Sequence, residues 1–415
     1  MSETGTSPRP GGKHAIAFIM ILLVLDTVGF GITVPVMPQL VTHLTGAGLS
    51  SAAVYGGWLM FIYALMQFLF SPVIGNLSDA FGRRSVLLIS VGALAIDYFI
   101  MATAPNISWL FVGRTLSGIA GATTATAAAY IADITPPEQR ARGFGMIGAA
   151  WALGFTVGPA IGGLLGEIGP RAPFYASAAL AFVNLLYGIF VLQESLTKVN
   201  RRSFAFWRAN PLGALLDLRK YNAVLAVFAI IVLYTIAHEV YSATWTYFVM
   251  LKFRWSQTQI GLALAVVGLS TAAVSGGLTG RLVKRLGEIG AVYLGLISTI
   301  VAFLGLAFSS KGWMTYPFIV IGALMGLITP SLRAIASRAL PDNRQGELQG
   351  AFSSLNGLVS IFAPVLLTET FHLFTGRGAP VYFPGAPFAL GALLLFAAAI
   401  LVRMIVDHLK PATAE

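Results

Sequence analysis

Stretches of about twenty mostly apolar residues recur along the whole chain, separated by short breaks rich in glycine, proline and charge. One helix needs a run of that length to cross the roughly 30 Å hydrocarbon core of a bilayer. Twelve such runs are marked, near 15–37, 53–75, 86–104, 107–131, 143–166, 172–192, 222–250, 257–280, 288–308, 313–337, 346–370 and 381–405, numbered here as spans 1 to 12. The first lacks a small-residue cleavage site and runs through Asp26 into a Pro35/Pro38 turn, so it reads as a span and not as a signal peptide. Of 415 residues, 57% are hydrophobic and only 10% charged, against about one in four charged for a soluble domain. An ordinary soluble enzyme, a disordered chain, a coiled coil and a collagen are excluded. The expected fold is an all-α polytopic membrane protein.

The net charge of +10 reports topology. Twenty of the 26 lysines and arginines fall on the side of the N-terminus, the even-numbered connections and the C-terminus, among them Arg9, Lys13, Arg83, Arg84, Arg140 and Arg142. Arg171, Lys252, Arg254, Lys311 and Arg377 fall opposite, and Arg114 lies inside span 4. Positive charge stays on the cytoplasmic side, so both termini are expected there and no nucleic-acid partner is implied. The connection 193–221 carries Lys198, Arg201, Arg202, Arg208, Arg219 and Lys220, and splits the spans six and six. It reads as a cytoplasmic linker between six-helix bundles at 1–192 and 222–415. A shift of 205 residues superposes them: Gly75 and Gly82 fall on Gly280 and Gly287, Pro136 on Pro341, Gly145 on Gly350, and Pro159 on Pro364. Parallel six-helix repeats are an architecture of secondary transporters, with the substrate near the midplane between them.

Three groups of residues carry candidate chemistry. In the loop after span 2, Gly75 and Gly82 permit close approach and a tight turn, and Asp79, Arg83 and Arg84 can pair with one another or with Asp133, with Arg140 nearby, as a gate. The second bundle has Lys284 and Arg285 in this loop, a degraded counterpart. Asp26 in span 1 and Asp97 in span 3 lie near the midplane, with Arg114 in span 4. Charge at that depth costs about 2.5–3.5 kcal/mol, so these groups should face a cavity or pair. Two carboxylates and one arginine leave one carboxylate to titrate, which proton coupling requires; a permanent Asp–Arg bridge is the alternative. In span 7, Tyr234, His238, Tyr241 and Trp245 share one helical face, with Glu239 rotated about 100° away. That face could line a pocket for a flat, even cationic, organic molecule, or simply pack. Span 5 places Gly154, Gly158, Gly162 and Gly166 along one face, with Pro159 and Gly163 beside them, a stripe that lets another helix pack closely.

No cysteine is present, and no phosphate-binding GxxxxGK[ST], HExxH or GxSxG occurs; His14, His43, His372 and His408 are scattered. No cofactor, metal site or enzymatic activity is expected.

With these residues the chain resembles the major facilitator superfamily, and within it the tetracycline/proton antiporter family. The likeness runs from Ala15 to Arg403 and includes Leu25-Asp26-x-x-Gly29-x-Gly31, Gln67, Asp97-Tyr98, Gly113-Arg114-x-x-Ser117-Gly118, Ile131-Ala-Asp133, Trp245 and Arg344-Gln345-Gly346. The resemblance implies that Asp26, Gln67, Asp97 and Arg114 belong to the substrate and proton path and that Asp79, Arg83 and Arg84 latch the cytoplasmic side. It implies export for the GxxxGPxxGG pattern of span 5. Where the family has a histidine in span 8 and an acidic residue in span 9, this chain has Thr271 and Thr299; where the family has an uncharged glutamine in span 7, it has Glu239 beside His238, so the proton-coupling site of the second bundle is expected at His238 and Glu239. The expected function is proton-driven export of a small amphipathic or aromatic compound from a bacterial inner membrane, by a monomer. Proton symport of a sugar or organic acid and a non-transporting receptor are the alternatives.

Overall fold

The structure, a computed structural model, describes residues 12–121, 123–136, 139–197, 199, 201, 202, 218, 221–341 and 344–409. Arg9 and the linker residues Lys198, Arg208, Arg219 and Lys220 lie outside them. Among the described residues, ten helices are long and apolar enough to cross a bilayer. Two predicted spans account for the difference from twelve. Gln257–Phe308 is 52 residues long, about 78 Å at 1.5 Å per residue, more than twice the hydrocarbon core, and its backbone breaks at Gly287 (φ 70°, ψ 171°). Span 4 is two shorter helices, Ile107–Ala120 and Thr123–Ile134, parted at Gly121.

Local chemistry sets several boundaries. Asn106 caps the start of span 4 by accepting from the Ser108 N–H at 3.1 Å, and Ser256 and Gln259 form a reciprocal capping box at the start of span 8. Gly82 (φ 106°) makes the turn between Leu49–Phe81 and Arg83–Thr103, and Gly287, 205 residues later, takes the equivalent left-handed turn. Side chains disfavour that backbone region, so the shared glycine of the repeat has a mechanical reason.

The helices before residue 192 pack on one another, as do those after 222. The two sets meet along span 5 against span 8 and span 2 against span 11. Contact runs from Ser50 and Thr375 to Phe68 and Gly357 in one pair, and from Glu167 and Thr258 to Thr156 and Gly268 in the other. At the first-named end, Ser50 shares hydrogen bonds with His372 Nδ1 at 3.0 Å and Thr375 Oγ1 at 2.7 Å, and the Glu167 carboxylate accepts from the Thr258 N–H at 3.1 Å. At the opposite end, a Cβ built on Gly75, Gly145, Gly280 or Gly346 would meet nothing within 4 Å. The hydrogen bonds named between the two sets thus lie at one end, called here the sealed end, and the repeat glycines without a neighbour lie at the other, called the parted end. The close approach expected at Gly75 and Gly280 is not made here, because these glycines sit at the parted end.

The glycine stripe of span 5 works on two sides. Gly154, Gly158 and Gly162 face Thr27, Gly31 and Ile32 of span 1, where a Cβ on Gly31 would come within 2.8 Å of the Gly154 carbonyl oxygen. Pro159 and Gly163 face span 8, with the backbones of Gly261, Gln257 and Thr258. The stripe thus binds its own set and forms the seam with the other.

At the sealed end, the Thr258 N–H, followed by the Ser256 hydroxyl, holds the Glu167 carboxyl below the usual carboxylate range. The ionised form favours the seal; that contribution is complete above the ordinary carboxylate pKa and is lost as pH falls through the lowered value. Glu167→Gln is expected to increase maleimide labelling of a cysteine introduced at Ser50 at neutral pH and to flatten its rise in acid.

Candidate functional site

Between the two sets lies a cavity of about 350 Å³, within the range of small-molecule sites. Spans 1, 2, 4 and 5 supply Phe30, Tyr63, Gln67, Arg114, Trp151 and Phe155 to one wall. Spans 7 and 11 supply Glu239, Ser242, Thr246, Tyr247 and Ser360 to the other. The wall is mainly apolar and aromatic, with a few polar groups aimed inward.

The charged wall is built from the expected trio. Asp97 is fully buried and forms an ion pair with Arg114, whose side chain is 11% exposed. The guanidinium also lies over the Tyr63 ring, 5.4 Å from its centroid. Asp26, Asp97 and Arg114 are all within electrostatic reach of the phenols of Tyr63 and Tyr98, which places the three in one cluster. Among the described residues Asp26 has no hydrogen-bond or ion-pair partner. One carboxylate is paired and one is free. At the equivalent positions of the second set stand Ile231, Ala302 and Ile319, all buried and apolar.

Gln67 reaches the cavity and has a structural task as well. Its Nε2 donates to the Gly121 carbonyl oxygen at 2.8 Å and to the Tyr63 hydroxyl at 3.2 Å. The first bond satisfies a carbonyl at the interruption in span 4, which membrane-embedded backbone requires.

The aromatic face of span 7 does not form the cavity wall. Tyr234, His238, Tyr241 and Trp245 do share a face, with neighbouring rings 5.9, 6.4 and 6.1 Å apart. That face turns into the second set, where Tyr241 and Trp245 meet Phe388, Tyr241 meets Phe303, and Trp245 is fully buried. His238 keeps exposed surface between the tyrosines. The residue presented to the cavity is Glu239, about 100° round the helix. Span 7 is interrupted at Glu239 and Thr244, and the Glu239 carboxylate accepts from the Ser360 hydroxyl at 3.3 Å. Thr299 is buried and donates back to the Gly295 carbonyl at 2.7 Å, so it has a packing role.

At the parted end, Arg83 joins Asp79 at 2.5 Å, Asp133 at 3.2 Å and Ser78 at 3.0 Å. Its backbone N–H donates to Glu194 at 2.9 Å, and Ser195 donates to Asp133 at 3.0 Å. Arg84 closes span 6 by donating to the carbonyls of Ile189 and Leu192, both at 2.6 Å, and Arg140 is exposed at the start of Arg140–Gly166. The second set is less degraded here than its loop suggests. Glu288 pairs with Arg338, and the 205-residue shift lays these two on Arg83 and Asp133 with the charges exchanged. Glu194, Ser195 and Ser360 carried no sequence signal, since each acts through a tertiary contact; the Glu288/Arg338 exchange was available from the repeat.

The comparisons agree with this architecture. Residues 19–364 match the family model of the Major Facilitator Superfamily. The tetracycline resistance protein, class C, of Escherichia coli is 42% identical over 86% of this chain and 90% of its own. The class G protein of Vibrio anguillarum is 39% identical over 87% and 91%. Among solved structures, a bacterial homologue of the human lysosomal transporter Spinster superposes with a TM-score of 0.77 at 14% identity, covering 98% of this chain and 100% of that one. The chain is a membrane transporter of the major facilitator superfamily. Within it, the chain belongs to the family of the tetracycline resistance proteins, as a multi-pass protein of the bacterial inner membrane.

Removing one member of a buried pair leaves the other charge uncompensated, at a cost of about 3–5 kcal/mol. Asp97→Asn should therefore lower the unfolding temperature of the protein in detergent. The double variant Asp97→Asn/Arg114→Gln should recover most of the loss, and thermal unfolding of both checks it.

Proposed function

We propose that this chain is a proton-coupled exporter of small amphipathic or aromatic compounds, of the tetracycline kind, working by alternating access. The observation that carries the reading is the cavity between two helix sets, sealed at one end, with a paired Asp97–Arg114 beside a free Asp26. Relatives named as tetracycline resistance proteins support the substrate class, and the small-residue seam between spans 5 and 8 provides a surface along which the two sets can part.

In this reading the chain crosses the membrane twelve times as bundles 1–192 and 222–415 joined by a linker at 193–221. The 52-residue element turns back at Gly287, and the two pieces of span 4 make one crossing. The distribution of lysine and arginine puts both termini in the cytoplasm. The sealed end then faces the periplasm and the cavity opens inward. Each chain encloses a whole cavity, so the monomer is the transporting unit.

Substrate enters from the cytoplasm and settles among Phe30, Tyr63, Trp151 and Phe155. With the gate of Asp79, Arg83, Arg84, Asp133 and Arg140 drawn against the second bundle, the cavity opens outward. A proton taken up by Asp97 releases Arg114 from its ion pair, and one taken up by Asp26 removes negative charge from the same cluster; either favours discharge of the substrate. Loss of the proton to the cytoplasm resets the carrier. Each inward proton charge supplies about 2.3 kcal/mol per 100 mV of membrane potential. Glu239 adds a further carboxylate on the facing wall, beside His238.

The test is tetracycline-driven proton movement in proteoliposomes under an imposed pH gradient. The intact protein should couple the two flows, and Asp26→Asn should abolish coupling while still binding tetracycline. Retained coupling in the variant would exclude Asp26.

A further inference from the structure

Arg114 and Glu239 are the two charged side chains in the cavity wall among the described residues. Their charges do not cancel across it. The Arg114 guanidinium is joined to the buried carboxylate of Asp97 on its own wall and lies over the face of Tyr63. Among the described residues Glu239 has one hydrogen-bond partner, the neutral Ser360 hydroxyl at 3.3 Å, and it is half-buried at the interruption of span 7. The nearby His238 imidazole is within electrostatic reach but forms no ion pair with it. Asp26, within electrostatic reach of Tyr63, adds no positive charge. A carboxylate that stays ionised where water is excluded is stabilised by a compensating cation, and the described residues place none in an ion pair with Glu239.

The rest of the wall suits a flat cation. Phe30 and Trp151 stand edge to face at 6.1 Å, and both line the cavity with Phe155. Aromatic faces attract organic cations, more strongly when water is excluded. We infer that Glu239 is the anchor for a cationic nitrogen of the transported compound, so that the cavity selects flat aromatic cations over neutral molecules of the same shape. The inference rests on the export reading only for taking this cavity as the substrate site. It assigns the facing wall a recognition role: Ser360 orients the carboxylate, the aromatic wall holds the body of the ligand, and the Asp97–Arg114 pair adds no net charge while Asp97 is ionised.

The test uses the full chain in nanodiscs at pH 7.5, with two fluorescent probes sharing one ring system: 10-methylacridinium, a permanent cation, and acridine, neutral at this pH. The intact protein should bind the cation at least tenfold more tightly. Glu239→Gln keeps size and hydrogen bonding and should erase that preference while acridine binding stays within about threefold. Glu239→Asp keeps the charge and should retain most of the preference. Equal affinity for the two probes in the intact protein overturns the inference, and so does a preference that survives Glu239→Gln or is lost equally in both variants. Proton movement driven by tetracycline in the intact protein is read separately. Its absence would remove the export reading without altering the probe ratio.

Discussion

The contact on which the rest depends is the backbone approach of span 5 to spans 1 and 8. Lipid chains are as apolar as leucine side chains, so helices in a bilayer associate through close packing and not through exclusion of water. Gly154, Gly158 and Gly162 let span 1 reach backbone distance, and Pro159 and Gly163 offer the same closeness to span 8. One helix is therefore both a fixed member of its bundle and the edge of a seam. Because the seam is made of small residues with one hydrogen-bonded carboxylate, Glu167, at its end, it can part without stranding many buried polar groups. Among the described residues, the hydrogen bonds that would have to be broken are those of Glu167 with Thr258 and of Ser50 with His372 and Thr375.

The repeat makes the division of labour visible. The two sets share their turns at Gly82 and Gly287 and carry an exchanged ion pair, Arg83–Asp133 in one and Glu288–Arg338 in the other. Their cores have diverged. Asp26, Asp97 and Arg114 stand opposite Ile231, Ala302 and Ile319, so the first set holds the dense charge chemistry. The second contributes a single cavity carboxylate on an interrupted helix. In the proposed cycle, the first wall carries the proton chemistry and the aromatic rings that hold the ligand, and the second contributes the carboxylate that reads its charge.

The spans, the repeat and the charged trio were legible because each is a local or periodic property: twenty apolar residues, a constant offset, a charge where lipid forbids one. The rest depends on rotation and contact. Periodicity shows that Tyr234, His238, Tyr241 and Trp245 share a face, but a helix gives no sign of which neighbour that face meets, and here it meets Phe303 and Phe388. The interruption of span 4 at Gly121 was hidden because the bond that stabilises it comes from Gln67, 54 residues away. Ser360 looked like any serine of a membrane helix until it was placed beside Glu239.

The central claim is that one cavity is exposed to the two sides in turn. The chain has no cysteine, so label pairs can be introduced cleanly: one across the sealed end at Ser50 and Thr375, one across the parted end at Gly145 and Gly346. Distances in lipid, measured by pulsed electron paramagnetic resonance with and without tetracycline and across a pH step, test the claim most directly. The account predicts two populations in which a long distance at one end always accompanies a short distance at the other. A Ser50–Thr375 distance that stays short under conditions where substrate is being transported would contradict it.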